Sequence, residues 1–331
     1  MSTRTTAAPT SAASARPRSR PGGKVRDYGI LVALVAIVVA LSFSTDTFLT
    51  RQNLVNLLDQ ASVVGLLAIG ATICILSGVF DLTASATLAV SAIVGVTVGQ
   101  QVGVVGGFVA AVVAGAVLGM LTGTIVVKSR VNSFIGTLAT SIIYRGMAVV
   151  ITAGAIAYPL TDQAEQFGML TWPSVFGLTS ATVMFLVVAV AASLLVSSTT
   201  FGRRLYAVGG NAEAARLSGI RTDRVHIAAF TISGVCAALA GLILASRAGS
   251  AQSSMATGYD LNAIAAAVIG GTSILGGEGA VWRGVVGALL LTLIGNGFNL
   301  LGWDTTYLQV TTGGLILLAV TVDGVLRRRA R

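Results

Sequence analysis

Charge is what this sequence has least of. Asp, Glu, Lys and Arg make up 10% of its 331 residues, against 54% hydrophobic residues and a mean hydropathy of +0.87. So little polar surface cannot coat a soluble globule of that length, which excludes a soluble enzyme and leaves an integral membrane protein. Histidine occurs once, as His226, and no G-x-S-x-G elbow is present, so no nucleophile, base and acid constellation is legible. His226 reads as an interface or capping residue rather than a proton relay. The two cysteines, Cys74 and Cys236, sit in apolar runs without a CxxC partner, which excludes a disulfide framework or metal site and makes them packing residues. G-x-x-x-x-G-K-[ST] is also missing, so the chain has no phosphate-cradling loop, no cofactor of its own and no ATP hydrolysis by itself. Ionisable residues at membrane depth are scarce too. Only Asp59 and Arg145 qualify, with Asp81 at a span edge, thin equipment for proton coupling.

What is present is a series of apolar runs. A bilayer core of about 30 Å asks for roughly 20 apolar residues per helix. Ten segments approach that length: 28–43, 57–76, 82–98, 104–127, 134–152, 180–196, 225–246, 261–275, 284–301 and 307–325. The third and eighth are short and studded with Gly, Ser and Thr, which suits broken or buried segments better than lipid-facing ones. The expected fold is all-α, a polytopic membrane helical bundle of about ten transmembrane helices. Residues 1–26, rich in Ser, Thr, Ala, Pro and Arg, read as a disordered basic tail leading into an uncleaved first span. The membrane-embedded body then covers 27–326, and 327–331 form a basic C-terminus.

The net charge of +9 fits topology rather than nucleic acid, because the basic residues border apolar segments and form no face with aromatic platforms. With the N-terminus inside, 18 of the 21 Lys and Arg residues fall on the cytoplasmic side. Arg51 and Arg247 fall outside, and Arg145 within the fifth span. An even number of spans is implied, with both termini cytoplasmic. In the fourth span Gly107, Ala111, Gly115, Gly119 and Gly123 recur every four residues, a groove that allows close backbone approach, either within one bundle or across a dimer seam.

The cytoplasmic stretch "TTFGRRLYAVGGNAEAARLSGIRTDR", 199–224, interrupts this pattern. Within it "NAEAARLSGI" has a helix start in Asn211, a carboxylate at Glu213 that suits the N-terminal dipole, a late Arg216 and a stop at Gly219. About two turns of helix are marginal alone in water, so packing against the bundle or a partner must order them. "GGTSILGGEG", 270–279, cannot continue a lipid-facing helix and is expected to be buried, lining a cavity or boundary, or to form a tight cytoplasmic turn.

These blocks resemble the ribose-type sugar permeases, the membrane subunits of ABC importers. The cytoplasmic motif is matched by Gly202, Arg203, Ala207, Gly209, Asn211, Ala214, Ala215, Ser218, Gly219 and Ile220. "SGVFDLTAS", "FIGTLATSIIYRGMAVVITAG" and "AIAAAVIGGTSILGGEGAVWRGVVGALLL" resemble three further family blocks in order, over nearly all the chain after Leu54. Val79, Ala84, Asn262 and Arg283 depart from the family pattern, which leaves loop geometry and substrate open. The resemblance implies a homodimer in the bacterial inner membrane, a sugar substrate such as a pentose, an extracytoplasmic sugar-binding protein and a cytoplasmic ABC ATPase that binds ATP and Mg. It also implies a coupling loop that includes Glu213 and Arg216. A self-sufficient facilitator is the alternative reading. Asp59, Asp81, Arg145, Asn296 and Asn299 are the candidate residues of the translocation path. Each also has a structural reading: capping for Asp81, pairing of Arg145 with Asp59, carbonyls or water, and interhelical hydrogen bonds for the two asparagines.

Overall fold

Where the apolar runs break, the helices break. The computed structural model describes residues 22–175, 177–304, 306–308, 310–314, 317 and 321. Among these lie twelve α-helices: α1 Gly22–Ser44, α2 Arg51–Leu76, α3 Ala84–Val102, α4 Val104–Ser129, α5 Ser133–Thr152, α6 Ala164–Gly168, α7 Ser180–Ser198, α8 Thr200–Gly210, α9 Ala212–Leu217, α10 Thr222–Ala248, α11 Tyr259–Ile269 and α12 Val281–Leu300. Two short antiparallel strands, β1 Pro173–Val175 and β2 Leu178–Thr179, pair Val175 with Leu178. Seven helices, α2, α3, α4, α5, α7, α10 and α12, are long and apolar enough to cross a membrane, while α1 and α11 carry shorter apolar stretches. The expected span at 307–325, and both terminal tails, lie largely or wholly outside the described residues.

The bundle is built around α2, buried over 83% of its most apolar window, with α10, α12, α11 and α7 against it. The stripe on α4 lies within the chain. A Cβ on Gly107 would meet Gly99 Cα of α3 at 2.7 Å, and one on Gly123 would meet Ile227 Cα of α10 at 2.9 Å. Gly115 and Gly119 lie against the carbonyls of Gly234 and Phe230 on α10. The groove is therefore filled by α3 and α10, and no dimer seam runs through it.

One expectation needs correction. The eighth span does not run to residue 275: α11 ends at Ile269, and 270–280 is an irregular loop in which Gly276 and Gly277 hold φ of +85° and +71°, a region that L side chains avoid. The connection between α5 and α7, residues 153–175 with 177–179, is a structured cap. Its buried Phe167 stands edge-on to Phe108 at 5.8 Å between centroids, Ser246 Oγ donates to the Phe167 carbonyl at 2.6 Å, and Ala157 and Ala251 exchange backbone bonds of 2.8 Å.

Hydrogen bonds sort the connections into two ends. Segments 77–83, 129–133, 199–224 and 270–280 share one end, joined by Phe80 N to Ser133 Oγ (3.1 Å) and by His226 Nε2 with the Ser77 carbonyl (3.1 Å). The cap, 45–50 and 249–258 share the other. Lys128, Arg130, Arg203, Arg204, Arg216, Arg221, Arg224 and Arg283 cluster at the first, which we term the basic end; Arg51 and Arg247 belong to the opposite end.

Candidate functional site: a glycine junction at the basic end

The chain leaves α7 at Thr199, whose extended backbone stops the helix and whose Oγ1 accepts from Gly202 N at 3.3 Å to start α8. Helix α8 was not anticipated from sequence. It is amphipathic, burying Gly202, Leu205 and Val208 while Arg203, Arg204 and Ala207 stay exposed. A Cβ at Gly202 would collide with the Val196 carbonyl, so only glycine permits this close return of α8 onto α7. Asn211 then turns the chain and its Oδ1 accepts from Ala214 N at 2.9 Å, capping α9. Helix α9 is shorter than the Asn211 to Ile220 rod expected. Its last turn closes through Gly219 N to the Arg216 carbonyl and Ile220 N to the Ala215 carbonyl, both 3.0 Å, with Gly219 at φ +82°. Ser218 Oγ donates to the Ala214 carbonyl at 2.9 Å. Ala215 is buried beneath the rod, Glu213 and Arg216 pair at 2.7 Å on its outer side, and Leu217 is 80% exposed.

Where α8 ends, three of the segments singled out from sequence touch backbone to backbone. Gly277 N donates to the Leu76 carbonyl at the end of α2 at 3.0 Å. Gly209 fits between them. A Cβ there would run into the Leu76 carbonyl oxygen and stand 2.6 Å from Gly277 N. On the other side a Cβ on Gly276 would lie 2.9 Å from Gly78 Cα. Tyr206 Oη donates to the Gly279 carbonyl at 2.8 Å, and burial pushes its phenol pKa up, which keeps it a neutral donor. Ser273 N to the Glu278 carbonyl, 2.8 Å, closes the loop. Chemically this junction holds no nucleophile or ligand-binding set. Mechanically it welds the α8 and α9 segment to the ends of α2 and α11, with no flexible side chain between them.

Comparison with known proteins gives the family of the chain. Residues 53–320 match the family model described as branched-chain amino acid transport system / permease component. The chain belongs to that permease family. It is 39% identical to the ribose import permease protein RbsC of Escherichia coli K12 over 295 residues, 88% of this chain and 92% of that one. It is 38% identical to RbsC of Bacillus subtilis 168 over 304 residues, 91% and 94% of the two chains. With the L-arabinose transport system permease protein AraH of Escherichia coli K12 it shares 36% over 324 residues, 97% and 98%. These relatives are permease subunits, and this chain is a multi-pass membrane permease.

The permease uses most of its candidate path residues as ties. Asp81 Oδ1 accepts from Thr83 N (2.8 Å) and Thr83 Oγ1 (2.5 Å), shaping the turn into α3. Asp59, on α2, accepts from the hydroxyls of Thr179 and Thr182, the latter at 3.1 Å, and fastens the start of α7. Arg145 does not meet Asp59. Its Nη1 donates to the carbonyls of Ser253 (2.5 Å) and Met255 (2.8 Å), pinning the loop before α11 to α5. Asn296 and Asn53 exchange amide bonds of 2.7 and 3.2 Å between α12 and α2. Asn299, at the same end of α12, is exposed. The structure does not bring these five residues together. Sequence reading missed Tyr206 and Leu76, whose roles depend on a neighbour far along the chain.

Proposed function

We propose that this permease is the membrane-spanning subunit of an ABC importer that moves a sugar, of the pentose class, across the bacterial inner membrane. Two copies form the translocation route, an extracytoplasmic binding protein delivers the sugar to the cap end, and a separate ATPase acts at the basic end. The printed functions of the ribose and arabinose relatives support the substrate class. The excess of Lys and Arg at the basic end supports a cytoplasmic placement of that end. The observation that carries the mechanism is the glycine junction. Helix α9 presents Glu213, Arg216 and Leu217 outward for a partner, Ala215 seats it on the bundle, and Gly209 passes any displacement directly to α2 and to the loop after α11. Tyr206 and Asn211 keep the two short helices in register. ATP binding by the partner would then favour one gate state of the bundle over the other.

Proteoliposomes test this reading. With the permease alone, pentose uptake should be absent; with the ATPase, the binding protein and ATP, it should appear and stop when ATP is withheld. Downhill pentose flux through the chain alone would instead establish a facilitator and overturn the proposal.

A further inference from the structure

Beside the junction, a cavity of about 500 Å³ opens between α8 and the start of α10. Arg204, Arg221 and Arg224 line it, together with the apolar Phe201, Ile220 and Val225, and no carboxylate does. None of these three arginines makes an ion pair among the described residues. The nearest acid on α10, Asp223, lines a different cavity with His226 and Arg130, so the first turn of α10 segregates its charges. That turn has no side-chain cap, leaving the positive end of a 27-residue helix beside the arginines. Three guanidinium groups and a helix N-terminus facing one open cavity call for an anion with several acceptor oxygens. The location says which kind. Thr200 lines the cavity two residues after the membrane-length helix α7 ends, and α7 exposes Leu186, Val187, Val190 and Leu194 along its length.

We propose that this cavity seats the phosphate of an anionic phospholipid headgroup, with the acyl chains lying along α7. The arginines hold the phosphate oxygens and the apolar wall of Phe201, Ile220 and Val225 takes the glycerol end. A lipid bound there contacts α8 and the first turn of α10 at once, and so steadies the segment that carries α9. This inference does not depend on the ATPase or on the sugar.

The test is native mass spectrometry of the purified permease with phosphatidylglycerol, and separately with phosphatidylcholine. Wild type should retain phosphatidylglycerol selectively. The triple variant R204Q/R221Q/R224Q should lose at least about tenfold in that retention, given the roughly 1 kcal/mol that each basic residue gains near anionic lipid. K128Q/R130Q, which alters charge at the same end but outside this cavity, should keep it. Should the triple glutamine variant fail to fold, R204K/R221K/R224K keeps the charge and is expected to keep the preference. Three results would overturn the proposal: equal retention of both lipids by wild type; displacement of phosphatidylglycerol by equimolar inorganic phosphate, which marks a free-anion site; or loss of ATPase capture by the triple variant in phosphatidylcholine nanodiscs, which assigns the arginines to a protein interface.

Discussion

Gly209→Ala adds a single carbon where three backbone segments already touch. The new Cβ would collide with the Leu76 carbonyl oxygen and sit 2.6 Å from Gly277 N. Comfortable contact begins near 3.5 Å, so the junction must open by about 1 Å on that side. Neither neighbour is a flexible side chain, and parting them strains the 3.0 Å bond from Gly277 N to the Leu76 carbonyl. Overpacking costs about 1–3 kcal/mol and the bond about 1 more, so a loss of roughly 2–4 kcal/mol is expected at this one position. The adjacent Gly210→Ala is the control. A Cβ there meets nothing within 4 Å, and alanine favours helix over glycine by up to about 1 kcal/mol. Reconstituted with the proposed ATPase and binding protein, G209A should hydrolyse ATP with sharply reduced sugar uptake and a lowered unfolding temperature, whereas G210A behaves as wild type. Normal uptake and stability in G209A, or equal damage in both variants, would refute the idea that backbone contact at Gly209 transmits the stroke.

Other substitutions probe separate parts of the molecule. Asn53→Ala and Asn296→Ala should show a coupling of about 0.6–1.7 kcal/mol in a double-mutant cycle on thermal stability, with apparent sugar affinity unchanged; a shift in affinity instead would make Asn296 a path residue. Gly219→Pro forces a φ near −65° onto a position held at +82°, and Glu213→Arg sets like charge beside Arg216. Both should insert into the membrane yet separate ATP hydrolysis from uptake, as measured by transport per ATP. Gly119→Leu drives a side chain into the Phe230 carbonyl of α10 and should abolish folded protein in detergent, not merely dimers; a well-folded monomer by size-exclusion chromatography would return the α4 stripe to a dimer seam.

The helical bundle was legible in the sequence because a lipid-spanning helix must be apolar over a fixed length, and the runs that became α2, α4, α5, α7, α10 and α12 satisfy that ruler within a few residues. Asn211 and Gly219 were legible as ends of α9 because capping is a local chemistry. Helix α8 was not, since Gly202, Gly209 and Gly210 argue against helix and its order comes from packing Leu205 and Val208 on the bundle. The cap was invisible for a similar reason: Phe167 has meaning only beside Phe108. The sequence blocks around Gly78, Gly209 and Gly277 could be marked as unusual, but their meeting is a long-range event that no spacing encodes. Asp59, Asp81 and Arg145 were noticed for the cost of burying charge, and that cost is met by threonine hydroxyls and carbonyls rather than by one another.

Helix α2 begins near Asn53 and Asp59, where α12 and α7 are tied on, and ends in the Leu76 carbonyl held by Gly277. At 1.5 Å per residue its 26 residues form a rod about 39 Å long. Enclosed on most sides, it acts as a lever whose short arm is the joint at the basic end. A tilt of about 3° at Leu76 would carry Asp59 sideways by about 1.3 Å and the far end of the rod by about 2 Å, so a small nudge at one end becomes a larger displacement at the other.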